Sequence, residues 1–197
     1  MKLERLLMFC LVILMASASF GQKINVESGS IKDLKGISEL KIEYDYSGLG
    51  VGKYDVEADY IAKKMADMNE DEAGTGDSWK EKWFSDRPQR YEPKFEELLS
   101  EYAPFIKSGK DVEAEITLFV HTTFIEPGYN VGVSRKPALI DLELIFLRGE
   151  EKIIVMTMSK SPGNGAMGYD FDAGYRISEA YAKAAKTLGK YLTDNLN

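Results

Sequence analysis

The chain is nearly without cysteine and histidine: 197 residues hold one of each. One Cys cannot build a disulfide framework. One Cys and one His cannot supply the nitrogen and sulfur ligands of a zinc site. Positive charge is also short, with 25 Lys and Arg against 32 Asp and Glu and a formal net charge of −7. Nucleic-acid binding needs a basic footprint, so nucleic acid is excluded as a partner. The longest unbroken apolar run is Leu6 to Met15 (LLMFCLVILM). As a helix it would rise only about 15 Å, half of the ~30 Å hydrocarbon core. The remaining composition, 44% hydrophobic and 29% charged, is that of an ordinary globular domain.

The apolar run has the layout of a secretory signal peptide. Lys2 and Arg5 precede it, Ala16-Ser17-Ala18 offers small residues for cleavage, and a second cut fits after Gly21. The expectation is a cleaved leader over 1–21, a single domain over 22–197, and a location in the periplasm or cell envelope with no transmembrane anchor after cleavage. Lipidation needs a small residue before the modified Cys; Phe9 precedes Cys10, so Cys10 is not expected to carry lipid. Cleavage removes the only Cys, which suits an oxidising compartment.

Downstream, Glu39 to Tyr46 alternates strictly, with Leu40, Ile42, Tyr44 and Tyr46 on one face of a half-buried strand. Ile24 and Val26 suggest a short edge strand. A glycine-rich loop, Ser47 to Lys53, leads to a helix over Asp55 to Met68, with Asp55 as N-cap and Ala58, Ile61, Ala62, Met65 and Met68 as its apolar stripe. Asn69 to Asp77 reads as a loop. Ser78 to Phe84 reads as a short helical turn with Trp79 and Trp83 on one face, ended by Pro88. Pro93 opens a further helix and Pro104 closes it. Strands follow over Val112 to His121, Ala138 to Leu147 and Ile153 to Met158, the last two as a hairpin. After a loop from Ser159 to Gly168, a long helix runs from about Ala173 to Leu196, its small residues suited to lying close on a sheet. The fold class is α+β in two layers: a mixed or mainly antiparallel sheet of four to five strands, with helices including the C-terminal one on one face.

Familiar catalytic motifs fail. Gly48 to Lys53 sits where a phosphate loop would, but Ser47 and Tyr54 stand where Gly and Ser or Thr are required, and Lys53 breaks the dinucleotide pattern. Asp67, Asn69 and Asp71 match three positions of an EF-hand loop, whereas Glu72 and Ser78 replace its Gly and its bidentate Glu. His121 falls with Glu113, Glu115 and Thr117 on the wetter strand face, and no nucleophile elbow exists. No catalytic residue, metal or cofactor is assigned, and the reading leans away from an enzyme. Two patches suit contact with a partner: Phe124, Tyr129, Asn130, Arg135 and Lys136 in the segment Thr122 to Pro137, and Trp79 with Trp83.

Several phrases carry a resemblance: Ile42 to Gly52 (IEYDYSGLGVG), Glu57 to Lys63 (EADYIAK), Trp79 to Trp83 (WKEKW), Tyr91 to Phe95 (YEPKF), Thr122 to Val133 (TTFIEPGYNVGV) and Arg176 to Leu188 (RISEAYAKAAKTL). Together they resemble a family of uncharacterised exported proteins from Bacteroidetes-type bacteria, and the resemblance implies no activity or site residue. The element order is also similar, at fold level only, to envelope domains of curli-secretion and TolB-type proteins, which implies no function. The expected role is a non-catalytic cell-envelope binding domain that contacts another envelope protein through one sheet face and the Thr122 to Pro137 segment. The alternatives are a small-ligand module with a pocket between sheet and helices at Tyr44, Tyr46 or Trp79, and a hydrolase built on a carboxylate pair.

Overall fold

A computed structural model describes residues 23–131, 134–163 and 172–197. The expected leader over 1–21, residues 132–133 of the aromatic segment and the end of the Ser159 to Gly168 loop lie outside the described residues. Strands are β1 (Ile24–Gly29), β2 (Glu39–Asp45), β3 (Gly50–Val51), β4 (Lys107–Gly109), β5 (Ile116–Glu126), β6 (Tyr129–Asn130), β7 (Arg135–Lys136), β8 (Ala138–Arg148) and β9 (Glu151–Gly163). Helices are α1 (Glu57–Asp71), α2 (Thr75–Asp86), α3 (Glu92–Tyr102) and α4 (Ala173–Leu196), and a single π turn, Arg87–Tyr91, joins α2 to α3.

The fold is α+β around a mixed sheet, larger than expected: seven strands among the described residues rather than four or five. Its order is β1-β9-β8-β5-β2-β4, with β3 paired to β5 off that path. The β1/β9, β9/β8 and β8/β5 pairs are antiparallel, and β2 runs parallel to both β4 and β5. Two extra strands come from the loops. Gly50 and Val51 pair with Phe124 and Ile125 of β5, and three residues after Phe105-Ile106 join the edge beside β2. Such short pairings depend on a neighbouring strand and leave no periodicity of their own.

Strand β5 starts later and ends later than the alternation of Val112 to His121 implies. A register shift between Thr122 and Phe124 breaks the period of two, so Thr122 and Ile125 are both buried. The first part of the expected aromatic loop is therefore strand, and it stops at Pro127, which has no N–H for the ladder. Likewise β9 continues to Gly163 through what reads as loop, because it pairs with β8 as far as Ala138.

Pro88 does not end the helix. The Arg87 N–H bonds to the Phe84 carbonyl and the Glu92 N–H to that of Arg87, so the turn tightens and then widens around the ring. This local geometry accommodates a residue that lacks an N–H and would crowd a regular turn. Helix α1 is capped by Val56 without a side-chain bond, not by Asp55. Its inner face is Ile61, Met65 and Met68 with Tyr60, while Ala58 and Ala62 face solvent. Helix α4 matches its expected span and packs on β8, β9 and α3. The core lies between helices and sheet: Leu118, Val120, Leu142, Leu144 and Met156 from strands meet Phe95, Ile177, Tyr181 and Leu188 from helices. Among the described residues no helix is long and apolar enough to cross a membrane.

Candidate functional site

Where α1, α2 and the start of α4 meet the turn before β6, the surface opens into a cleft of about 440 Å³. That lies within the ordinary range for ligand sites. One wall is aromatic. Tyr60 of α1 sits 5.7 Å from the Trp79 ring and 5.2 Å from the Trp83 ring, and the two indoles are 5.6 Å apart at 30°. Trp79 and Trp83 come together because α2 is a true helix and they are one turn apart on it. Trp83 is only 4% exposed and donates its indole N–H to Glu57 Oε1 at 2.6 Å. Glu57 also accepts from Arg87, so the wall is fixed from behind. Trp79 is half-buried and lines the opening. Burial, reinforced by the nearby Glu126 carboxylate, pushes the Tyr60 hydroxyl up to about 12, which keeps it protonated.

The facing wall is polar. Lys82, Asp86 and Arg90 follow one another at four-residue spacing across the π turn, and Asp172 closes the group from the N-cap of α4. Lys82 Nζ lies 3.2 Å from Asp86 and 3.1 Å from Asp172; Arg90 reaches Asp86 at 3.1 Å and Asp172 at 3.0 Å. Asp172 also accepts the Gly174 N–H at 2.8 Å. Burial works to raise the Asp172 carboxyl, but bonds from Arg90, Lys82 and Gly174 outweigh it and hold it below the usual range. The third side is the Pro127-Gly128 turn. Arg176 donates to Pro127 O at 3.1 Å and Gly128 O at 3.2 Å, fastening the turn to α4. Gly128 has φ +62°, and a Cβ there would meet Lys136 O at 2.3 Å, so only glycine fits.

Four of the seven residues proposed from sequence line this one cleft: Trp79, Trp83, Tyr129 and Asn130. Tyr129 is 45% exposed at its rim. The other three lie elsewhere. Phe124 is half-buried in β5 beside Gly50, and Arg135 and Lys136 form exposed β7, with Lys136 paired to Glu126 at 2.5 Å. Sequence reasoning missed Lys82, Asp86, Asp172 and Arg176. The four-residue repeat Lys82, Asp86, Arg90 was a usable signal, but reading Pro88 as a stop separated its members.

The other candidates have structural partners. Tyr44 and Tyr46 point to α3: the Tyr44 hydroxyl donates to Glu92 O at 3.1 Å, and that of Tyr46 reaches Glu92 Oε1 at 3.5 Å. Beside them Tyr91 and Tyr181 stack at 5.3 Å, and Tyr181 pairs with Thr122 at 2.6 Å. Burial raises the Glu96 carboxyl against the pull of Lys110, but Glu96 does not line the cleft. His121 bonds through Nε2 to Ser47 O at 2.9 Å on the open sheet face, between Asp45 and Glu143. Among the described residues no group of three or more His, Cys, Asp or Glu is placed to hold a metal ion. No family model matches the chain, and neither a curated protein nor a solved structure matches it.

Proposed function

We propose that this chain is an exported cell-envelope protein whose work is binding, and that the cleft between α2, α4 and the β6 turn is its recognition site. One observation carries the reading: the fold collects Trp79 and Trp83 with Tyr129 and Asn130, distant in sequence, around a single opening. The leader layout of residues 1–21 supports export. A carboxylate acid catalyst needs a group held protonated near neutral pH, and Asp172 is held the other way. Asp172 is instead tied to Lys82 and Arg90, which supports a fixed recognition surface.

The test is a ligand screen by thermal shift on protein recovered after export. A cleft ligand at a hundred times its Kd adds about 2.7 kcal/mol, which is a rise of roughly 5–11 °C for a chain of this size. The rise should vanish in Trp79→Ala/Asn130→Ala. Ligands that stabilise this variant as much as the native chain would refute the site, and a leader retained on cytoplasmic protein would refute export. A second reading is contact with another envelope protein through the β6–β7 hairpin, favoured by Tyr129 and by Val131, which is 65% exposed.

A further inference from the structure

The two walls of the cleft narrow the chemistry of what it accepts, on the reading that it is a binding site. A strong anion finds the α4 N-terminus already taken, because Asp172 accepts the Gly174 N–H there. Lys82 and Arg90 are likewise already matched by Asp86 and Asp172. A cation meets Lys64, Lys82 and Arg176 among the lining residues. A wholly apolar ligand would strip water from the ion network without replacing its hydrogen bonds. A neutral ligand rich in hydroxyls avoids all three problems. Hydroxyls both donate and accept, so they meet the ammonium of Lys64 and the amide of Asn130 without displacing an ion pair, the Asp172 oxygens being filled by Lys82, Arg90 and Gly174.

The aromatic wall favours the same class. The C–H face of a pyranose ring is apolar and flat, and it suits an indole that stays in place. Trp79 is held by Tyr60 and Trp83, and Trp83 is tied to Glu57. The polar wall is equally fixed, since each of its charges holds another. Groups that are already ordered lose little freedom when a ligand arrives. We propose that the cleft binds a neutral oligosaccharide, one pyranose ring stacked on Trp79 and its hydroxyls bonded to Lys64 and Asn130.

The probes are maltotriose, cellotriose and triacetylchitotriose, each titrated to millimolar concentration. Binding is read by tryptophan fluorescence and by amide shifts in two-dimensional NMR. At least one probe should saturate and shift residues on both walls. Trp79→Ala should weaken it about thirtyfold, as truncating an aromatic anchor does. Trp79→Phe should retain most of the affinity, which guards against a folding defect in the alanine variant. Failure of all three probes overturns the saccharide assignment, as does binding that Trp79→Ala leaves unchanged. A mixture of aromatic and charged dipeptides is titrated in parallel. Shifts at the cleft with dipeptides but not saccharides overturn this inference and keep the site; no shifts at the cleft with either set overturn both.

Discussion

Asp172 offers the sharpest test of how the cleft is held. It does two jobs: it caps α4 through Gly174, and it shares Arg90 and Lys82 with Asp86. Alanine removes both jobs. Losing the cap costs about 1 kcal/mol. The ion pairs add less than their distances suggest. The Lys82 side chain is 46% exposed and therefore well screened, and both cations keep Asp86 when Asp172 goes. Arg90, 27% exposed, carries most of the remaining effect, so the charge contributes about 1 kcal/mol in total. Asp172→Ala should then lose about 2 kcal/mol, or roughly 4–8 °C, and Asp172→Asn, which keeps a capping oxygen, about half as much. The pH dependence separates the two jobs. The folded carboxyl sits below its unfolded value of about 3.9, so its charge stabilises fully above that value and stops doing so as pH falls through the folded one. In urea titrations the gap between the native chain and Asp172→Asn should be complete at neutral pH, start closing below about pH 5 and be gone in strong acid. The reasoning fails if Asn costs as much as Ala at neutral pH, or if the Asn gap persists unchanged in acid.

Trp83→Ala should cost about 3–5 kcal/mol in urea denaturation, while half-buried Trp79→Ala costs roughly half of that. Equal losses would mean that the two indoles are not divided between core and cleft. Gly189→Ala should destabilise by about 1–3 kcal/mol despite the better helix propensity of alanine, because its Cβ would lie 2.7 Å from Tyr102 Cβ. A gain in melting temperature would refute that close approach. His121→Ala should cost under about 1 kcal/mol and leave saccharide binding untouched, since its bond to Ser47 is on the open sheet face. A loss of binding would bring His121 into the site.

What could be read in the chain was what repeats locally. Glu39 to Asp45 alternates because one side faces helices and the other water, and α4 announces itself over its whole length. The hairpin of β8 and β9 is legible for the same reason. What could not be read depends on distant partners. Strand β5 shifts by several residues because β3 and β8 extend it past His121 and a bulge alters its phase. Pro88 is a sound stop signal that a widened turn defeats. The cleft was half visible: its aromatics stood out as residue types, but which aromatics share a wall is decided by tertiary packing. The ionic wall stayed hidden because Asp172 reaches it from the far end of the chain.

The parallel pairing of β2 with β5 also has a kinetic meaning. Between those strands the chain must lay down α1, α2, α3 and β4, so closing that ladder costs the entropy of a long loop. The β8–β9 hairpin needs only a turn and can form on the microsecond scale. Folding should therefore start in the C-terminal half and wait for the segment that carries β2 and the first three helices. Because α2 belongs to the late half and β6 to the early one, the cleft is completed only when the two halves join, and occupancy by a ligand would mark the end of folding rather than its beginning.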